Sequence, residues 1–324
     1  MVLRLQDKWV WDFWFAHEGE DYHIFYLQAS RALENTDMRH WNVSIGHAVS
    51  RDLRQWRILP DALRPSDPII EPEAFDTHTT WTGSIIRHDS LWYMFYTGGK
   101  RSENGLIQRV GLATSYDLLT WDKHPNNPLI QANPRWYETL NFNEWRDESW
   151  RDPFVFRLDD GVYHALICAR ANDGPADGRG VIAHAQSANL LDWEVLPPVM
   201  TPGDFSQMEV PQVSEIGGRY YLLFCTSKAD FSAARRARIG QPAVTGTHYL
   251  VADQPLGPYH YLTDEFLAGD TLGSLYAGKL IQDATGQWQF IAFRNMTEDG
   301  IFAGEIIDPL PVGVEPNGKL LLQL

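Results

Sequence analysis

The sequence predicts an all-β protein, a five-bladed β-propeller with its active site in the central funnel. Three observations predict it: a repeat of about 65 residues, an aromatic strand-like run inside every repeat, and turn signals between the runs. The repeat shows first in its endings. HAVSRDLRQW (47–56), LATSYDLLTW (112–121) and AHAQSANLLDW (183–193) share one pattern, and LVADQPLGPY (250–259) is a degenerate fourth copy. Ahead of each lies an aromatic, β-rich run: DYHIFYLQA, LWYMFYTGG, VYHALICAR and RYYLLFCTS. A fifth, QWQFIAFRN, precedes DGIFAGEII. The signals HEGED, RHDS, LDDG, EIGG and DATG mark hairpins within the repeats. Antiparallel units of this size suit blades of about four strands, arranged radially so that few edges are exposed.

Between these blades the remaining segments take their places in chain order. SRALENTDMRHW (30–41) is expected to hold one short turn of helix on a rim loop. The Pro-rich stretches 60–72, 125–134 and 197–202 read as inter-blade connections, and FSAARRARIG (231–240) as a solvated loop. KLLLQL (319–324) reads as a strand that closes the ring. With no linker or low-complexity segment between repeats, residues 1–324 are expected to form a single catalytic propeller domain.

Composition narrows the partners. Lys and Arg total 27 against 42 Asp and Glu, a net charge of −15, which argues against nucleic acid or an anionic membrane as the main partner. A neutral small molecule such as a carbohydrate needs no such steering. The 13 Trp, 13 Tyr and 15 Phe serve blade packing and also offer flat apolar faces suited to sugar rings. MVLRLQDKWVWD has no apolar core of signal-peptide length, and no run approaches a membrane span, so a cytoplasmic location is expected. Cys168 and Cys225 sit inside apolar strand-like runs and read as buried thiols. No metal-ligand spacing is present, so neither a metal nor another cofactor is expected.

Counting back from the first aromatic of each second strand reaches Asp12, Thr82, Asp152, Glu209 and Tyr276, read as equivalent places on the innermost strands. Three of the five are acids. Their settings, WVWDFWF, SWRDPFVF and FSQMEVPQV, are otherwise mostly apolar, and a carboxylate there is costly unless paired or functional. Two carboxylates flanking a bond are the minimum equipment for glycoside hydrolysis, one ionised and one protonated. A third can bind sugar hydroxyls and stabilise developing positive charge. Arg151 would keep Asp152 ionised, although strand alternation points its side chain away from the channel.

WVWDFWF, TWTGSII, WRDPFVF and MEVP, in that order, resemble the signature of glycoside hydrolase families 32 and 68, which include invertases, fructan hydrolases, levansucrases and inulosucrases. The resemblance spans roughly residues 8 to 308, and Arg151-Asp152-Pro153 is its most specific part. It implies a retaining hydrolase of β-fructofuranosides, with Asp12 as nucleophile, Asp152 as transition-state stabiliser and Glu209 as general acid/base. Trp11, Asp12 and Trp14 match the W-D-x-W start typical of family 68. Trp81, Gly83 and Ser84 resemble its W-S-G-S segment, with Thr82 replacing the first Ser.

Substrate contacts are accordingly expected at Trp11, Trp14, Trp81, Ser84, Arg151 and Gln207. For Trp14 and Trp81 inner-strand packing is the competing reading, and for Ser84 a tight blade contact beside Gly83. Gln207 stands where family 68 transferases commonly carry a second glutamate, and no C-terminal β-sandwich of the kind usual in family 32 is expected within residues 1–324. His78 is the best histidine candidate for a substrate contact, with a turn role competing, whereas Arg294 and Asn295 read as structural. Two other functions stay open. An inverting α-L-arabinofuranosidase or β-xylosidase of family 43 type has the same propeller and acids, although Arg-Asp-Pro and W-D-x-W weigh against it. A non-catalytic carbohydrate-binding propeller would use the aromatics without chemistry. A propeller phosphorylase is disfavoured, because no basic cluster occupies the channel positions.

Overall fold

Strand-forming runs separated by tight turns pair antiparallel into five sheets in a computed structural model, which describes residues 2–264 and 266–323. Blade one comprises β1 (Lys8–Glu18), β2 (Asp21–Ser30), β3 (Ser44–Ser50) and β4 (Arg57–Leu63), hydrogen-bonded in chain order. Blade two repeats this with β5 (Thr79–His88), β6 (Leu91–Gly99), β7 (Gln108–Ser115) and β8 (Asp122–Lys123), and blade three with β9 (Trp150–Arg157), β10 (Tyr163–Arg170), β11 (Gly180–Ser187) and β12 (Glu194–Leu196). Blade four holds β13 (Glu209–Ile216), β14 (Arg219–Thr226), β15 (Thr245–Ala252) and β16 (Ala268–Asp270). Blade five holds β17 (Leu275–Gln282), β18 (Trp288–Met296), β19 (Phe302–Ile306), β20 (Leu310–Val314) and β21 (Leu320–Leu322), with β19 and β20 both pairing β18. The predicted five-bladed propeller is what forms. Middle strands such as β10 and β15 are buried along their whole length between neighbouring blades, hence their near-continuous apolar sequence.

The repeat endings are turns between third and fourth strands. Asp52, Asp117 and Asn189 each accept main-chain N–H groups two and three residues ahead. The buried Leu53, Leu118 and Leu190 between them adopt φ of 59°, 61° and 67°. These Asx turns explain why the acid or amide, the leucine and the strand break recur together.

The expected helical turn is the 3₁₀ segment Thr36–Trp41, capped by the Asn35 side chain accepting from the Asp37 N–H. Two other expectations are corrected. FSAARRARIG contains a short helix, α1 (Ala233–Arg238), not a solvated loop. It buries Arg235 between Asp204 and Asp264, at 3.4 and 3.3 Å, and over the Tyr261 ring, so its guanidinium is partnered rather than hydrated. Nor does the tail close the ring. β21 adds to β20 inside blade five, while closure comes from Leu3, which exchanges two 3.0 Å main-chain bonds with Ile306.

The innermost strands share one irregularity that builds the channel. Trp11, Trp81, Arg151, Glu209 and Tyr276 pair with Leu27, Thr97, Cys168, Cys225 and Phe293, each the fifth residue past the first aromatic of its second strand. A β-bulge follows at once in all five. Where the bulged residue is Asp152, Val210 or Ala277 it takes φ of 58°, 47° and 51°. Asp12, Thr82 and Asp152 therefore share one register, whereas Glu209 and Tyr276 stand one residue earlier, level with Arg151. Counting back from the aromatic misses this because the Arg157–Tyr163 hairpin holds one residue more than the Glu215–Tyr220 hairpin. A bulge also suspends strict alternation, so Arg151 and Asp152 both reach the channel, contrary to the expectation for Arg151.

Candidate active site

The bulges of the innermost strands form the floor of a cavity of about 420 Å³. Asp12, Thr82, Arg151, Asp152, Glu209 and Tyr276 meet there. Its walls come from loops outside the repeat: Asp37, His40 and Trp41 from the 3₁₀ turn, Gly105 and Leu106 after β6, and Arg146 and Asp147 before β9. Trp11 and Trp81 complete the aromatic side, with the Trp81 indole N–H donating to the His40 carbonyl at 2.8 Å and its ring 5.6 Å from that of Trp41.

Each acid has a distinct setting. The Thr82 hydroxyl donates to Asp12 Oδ2 at 3.0 Å. The Val210 N–H donates to Asp152 Oδ2 at 3.0 Å, while the Asp152 N–H donates to Thr97 Oγ1 at 2.9 Å, tying blades two, three and four together. Glu209 is the best-partnered of the three: Arg151 Nη2 lies 2.7 Å from its Oε1 and the Tyr276 hydroxyl donates to its Oε2. Arg151 also donates to Gln207 at 2.8 Å and Gln108 at 3.1 Å, and its Nε lies 3.8 Å from Asp152 Oδ2.

These settings separate the acids electrostatically. Burial, then repulsion from Asp152 and Glu209, pushes the Asp12 carboxyl up to about 7 against the Thr82 bond and the charge of Lys279. Burial also raises Asp152, partly offset by Arg151 and the Val210 N–H. Burial alone would raise Glu209 too, but the Arg151 guanidinium and the Tyr276 hydroxyl outweigh it and hold that carboxyl below its usual range. His40, desolvated and beside Arg39, falls to about 4 and is neutral near pH 7.

Of the nine residues singled out from sequence, six line this cavity: Trp11, Asp12, Trp81, Arg151, Asp152 and Glu209. Three do not. Trp14 is 4% exposed and stacks on Phe25 at 6.3 Å, because past the Asp12 bulge the strand turns that face into the blade core. Ser84 accepts the Val155 N–H at 2.9 Å and so joins blades two and three. Beside it a Cβ on Gly83 would stand 2.1 Å from the Phe95 carbonyl oxygen, so this is a packing site. Gln207 precedes β13 instead of alternating along it with Glu209, and lies behind Arg151, donating to Ser149 at 3.0 Å. His78 is half-buried, stacks on Trp41 at 5.0 Å and is not among the residues that line the cavity. Arg294 and Asn295 serve blade five, bound to Glu305 and the Gly273 carbonyl, as expected. Both cysteines are free and buried, as expected.

His40, Trp41, Gln108, Arg146 and Asp147 lie in the rim segments 30–45, 99–108 and 135–149, where sequence reasoning places substrate choice without singling out a residue, because these connections do not repeat and give no periodic signal. Tyr276 carried a signal, its place in the innermost-strand series, without a role attached.

A family model described as the glycosyl hydrolases family 32 N-terminal domain matches residues 13–301. Asp12 stands one residue ahead of that segment. An insoluble β-fructofuranosidase isoenzyme of Arabidopsis thaliana is 26% identical over 324 aligned residues, covering 93% of this chain and 52% of the relative. A bifunctional fructosyltransferase of Allium cepa is 30% identical over 183 residues, 55% of this chain and 26% of the relative. The chain thus spans between about a quarter and a half of the length of these curated relatives. Among solved structures, inulosucrase from Halalkalicoccus jeotgali bound to kestose superposes with a TM-score of 0.79 at 20% identity, over 98% of this chain and 87% of that one. At that identity the likeness speaks for the propeller fold.

Proposed function

The chain belongs to glycoside hydrolase family 32, and from that premise we propose that it cleaves β-fructofuranosides, such as sucrose or fructans, by double displacement. The observation that carries the reading is the meeting of Asp12, Asp152 and Glu209 on one cavity floor in three different environments. Asp12, opposite Thr82, attacks the anomeric carbon. Glu209 protonates the departing oxygen, and a covalent fructosyl-enzyme forms. Glu209, now a base, takes a proton from water, which releases fructose with retention, or from a second sugar hydroxyl, which gives transfer. Asp152, fixed by the Val210 N–H, faces the positive charge that develops on the ring.

Among the three acids Asp12 is the most basic, so as pH falls through neutrality a proton goes to Asp12 before Glu209. The reactive arrangement is the other one, with Glu209 protonated and Asp12 bare. A sugar supports it in two ways: its glycosidic oxygen gives Glu209 an acceptor, and its hydroxyls draw donors of Arg151 away from the carboxylate. The pH profile reports the pair, not either acid by itself.

The test is a panel of sucrose, kestose, inulin, levan and aryl arabinofuranosides, with NMR of the first-formed anomer. Release of β-fructose that mutarotates afterwards supports the reading. First-formed inverted product, or cleavage confined to arabinosides, turns the assignment to the family 43 type. Binding without turnover of any sugar turns it to a carbohydrate-binding propeller.

A further inference from the structure

Lys279 is a buried cation that none of the steps above uses. It lies on β17 just past the Ala277–Gly278 bulge, 6% exposed, and its ammonium reaches beneath the cavity floor to the neighbouring blade. There Nζ donates to the Val210 carbonyl at 2.8 Å and the Pro211 carbonyl at 3.2 Å. It makes no ion pair among the described residues. Burying an ammonium against two neutral carbonyls is costly, and an apolar side chain would fill the space at less expense of hydration.

What those carbonyls belong to explains its place. Val210 and Pro211 form the β13 bulge directly after Glu209, and Val210 is a β-branched residue at φ 47°, a conformation that persists only when its surroundings dictate it. The bulge leaves both carbonyls outside the strand ladder. The same Val210 turns its N–H to Asp152 Oδ2. One peptide segment therefore sets Glu209 on one side, fixes Asp152 on the other and rests on Lys279 from below.

We propose that Lys279 is a positioning residue: its ammonium clasps the Val210–Pro211 bulge, setting Glu209 and Asp152 relative to each other, and its charge offsets the repulsion that crowds Asp12. The inference rests on the fructosidase reading for its kinetic test. The charged and titratable groups that face Asp12 are Asp152, Glu209, Arg39, Lys279 and the Cys225 thiol, and those that face Lys279 are Asp12, Asp152 and the same thiol. Of the cations, Lys279 ranks among the largest influences lowering Asp12, and it lowers Asp152 as well, while its own burial brings it down to about 8.

The experiment compares wild type with Lys279→Gln, which keeps amide donors for the carbonyls without the charge, Lys279→Met, which loses both, and Lys279→Arg, which keeps the charge. Two measurements are made on folded protein. The first is the pH profile of kcat/KM. The second is titration of the Asp12 carboxyl carbon by NMR with ¹³C-labelled aspartate, assigned by its loss in Asp12→Asn. In both Gln and Met variants the Asp12 midpoint and the basic limb should move up by about one pH unit, and Met should lower kcat at least tenfold with little change in KM. Arg should restore the wild-type midpoint. An unmoved Asp12 midpoint in Gln and Met overturns the proposal, and should Met fail to fold, Gln alone decides. If wild type turns over no fructoside, the assigned activity fails while the titration still decides the role of Lys279.

Discussion

Arg151 Nη2 lies 2.7 Å from Glu209 Oε1, and the same guanidinium lies 3.8 Å from Asp152. One cation thus serves two acids, and it holds the Glu209 carboxyl below its usual range. Arg151→Met leaves the buried Asp152 and the half-buried Glu209 without that partner. Removing one member of a buried charge pair typically costs about 3–5 kcal/mol of folding stability, so the melting temperature should fall, and losing the cation that aligns both acids should lower kcat/KM by a factor of about 10². With the cation gone Glu209 holds its proton at higher pH, and the acid limb of the bell-shaped profile should shift upward. An acid limb unchanged by Arg151→Met would remove Glu209 from that limb.

Asp12 makes the opposite trade between function and stability. Its folded carboxyl is raised to about 7 from an ordinary value of 3.8, so the ionised form is disfavoured in the native state. The native state binds more protons than the unfolded chain between those values, and stability falls as pH rises through them. Asp12→Asn removes this burden. The variant should abolish turnover and yet gain on the order of 2 kcal/mol at pH 8, a gain that fades toward pH 4. Thermal melts of both proteins at the two pH values measure it, and an Asn variant less stable at pH 8 would contradict the assigned electrostatics.

Trp81 and Trp14 looked alike in sequence and differ in place. Trp81 lines the cavity and hydrogen-bonds the His40 carbonyl, whereas Trp14 stacks on Phe25 in the core. Trp81→Phe should raise KM several-fold at nearly constant melting temperature. Trp14→Phe should lower the melting temperature, as loss of buried aromatic area does, and leave KM near the wild-type value. A reversed pattern would exchange their roles.

Much of the fold was legible because the blade is repeated: each S-x-(D/N)-L-x-x-W turn and each aromatic second strand gave the same signal at nearly the same spacing. The acids were legible too, since Asp12, Asp152 and Glu209 interrupt mostly apolar inner strands. What escaped was local geometry that repeats without a residue signature. The five bulges follow residues as different as Trp11 and Tyr276, so nothing in the letters announces that in blades one to four both residues at the jump line the cavity. The extra residue in the Arg157–Tyr163 hairpin disguised the register of Glu209. Gln207 failed for a related reason: spacing by two means one face only inside a strand, and β13 starts after it.

Two blades carry a buried histidine pair at matching places. His23 Nδ1 lies 2.9 Å from His47 Nε2, and His164 Nδ1 lies 2.9 Å from His184 Nε2. Within each pair one ring donates and the other accepts, which requires both to be neutral or at most one proton to be added. Burial lowers all four, His47 to about 3 and His184 to about 4, with the partner ring contributing to both values. Unfolded histidine titrates near 6.5, so below that pH the unfolded chain takes up protons that the native state refuses. Each such histidine then costs about 1.4 kcal/mol per pH unit until its folded value is reached. Acidification relieves Asp12 and Asp152 over part of the same range, so the wild-type slope is the difference of two opposed effects. A His47→Gln/His184→Gln variant breaks both pairs while leaving the acids in place. Between pH 6.5 and 5 its denaturant midpoint should fall less than that of the wild type, and equal slopes would show that the pairs do not govern acid stability.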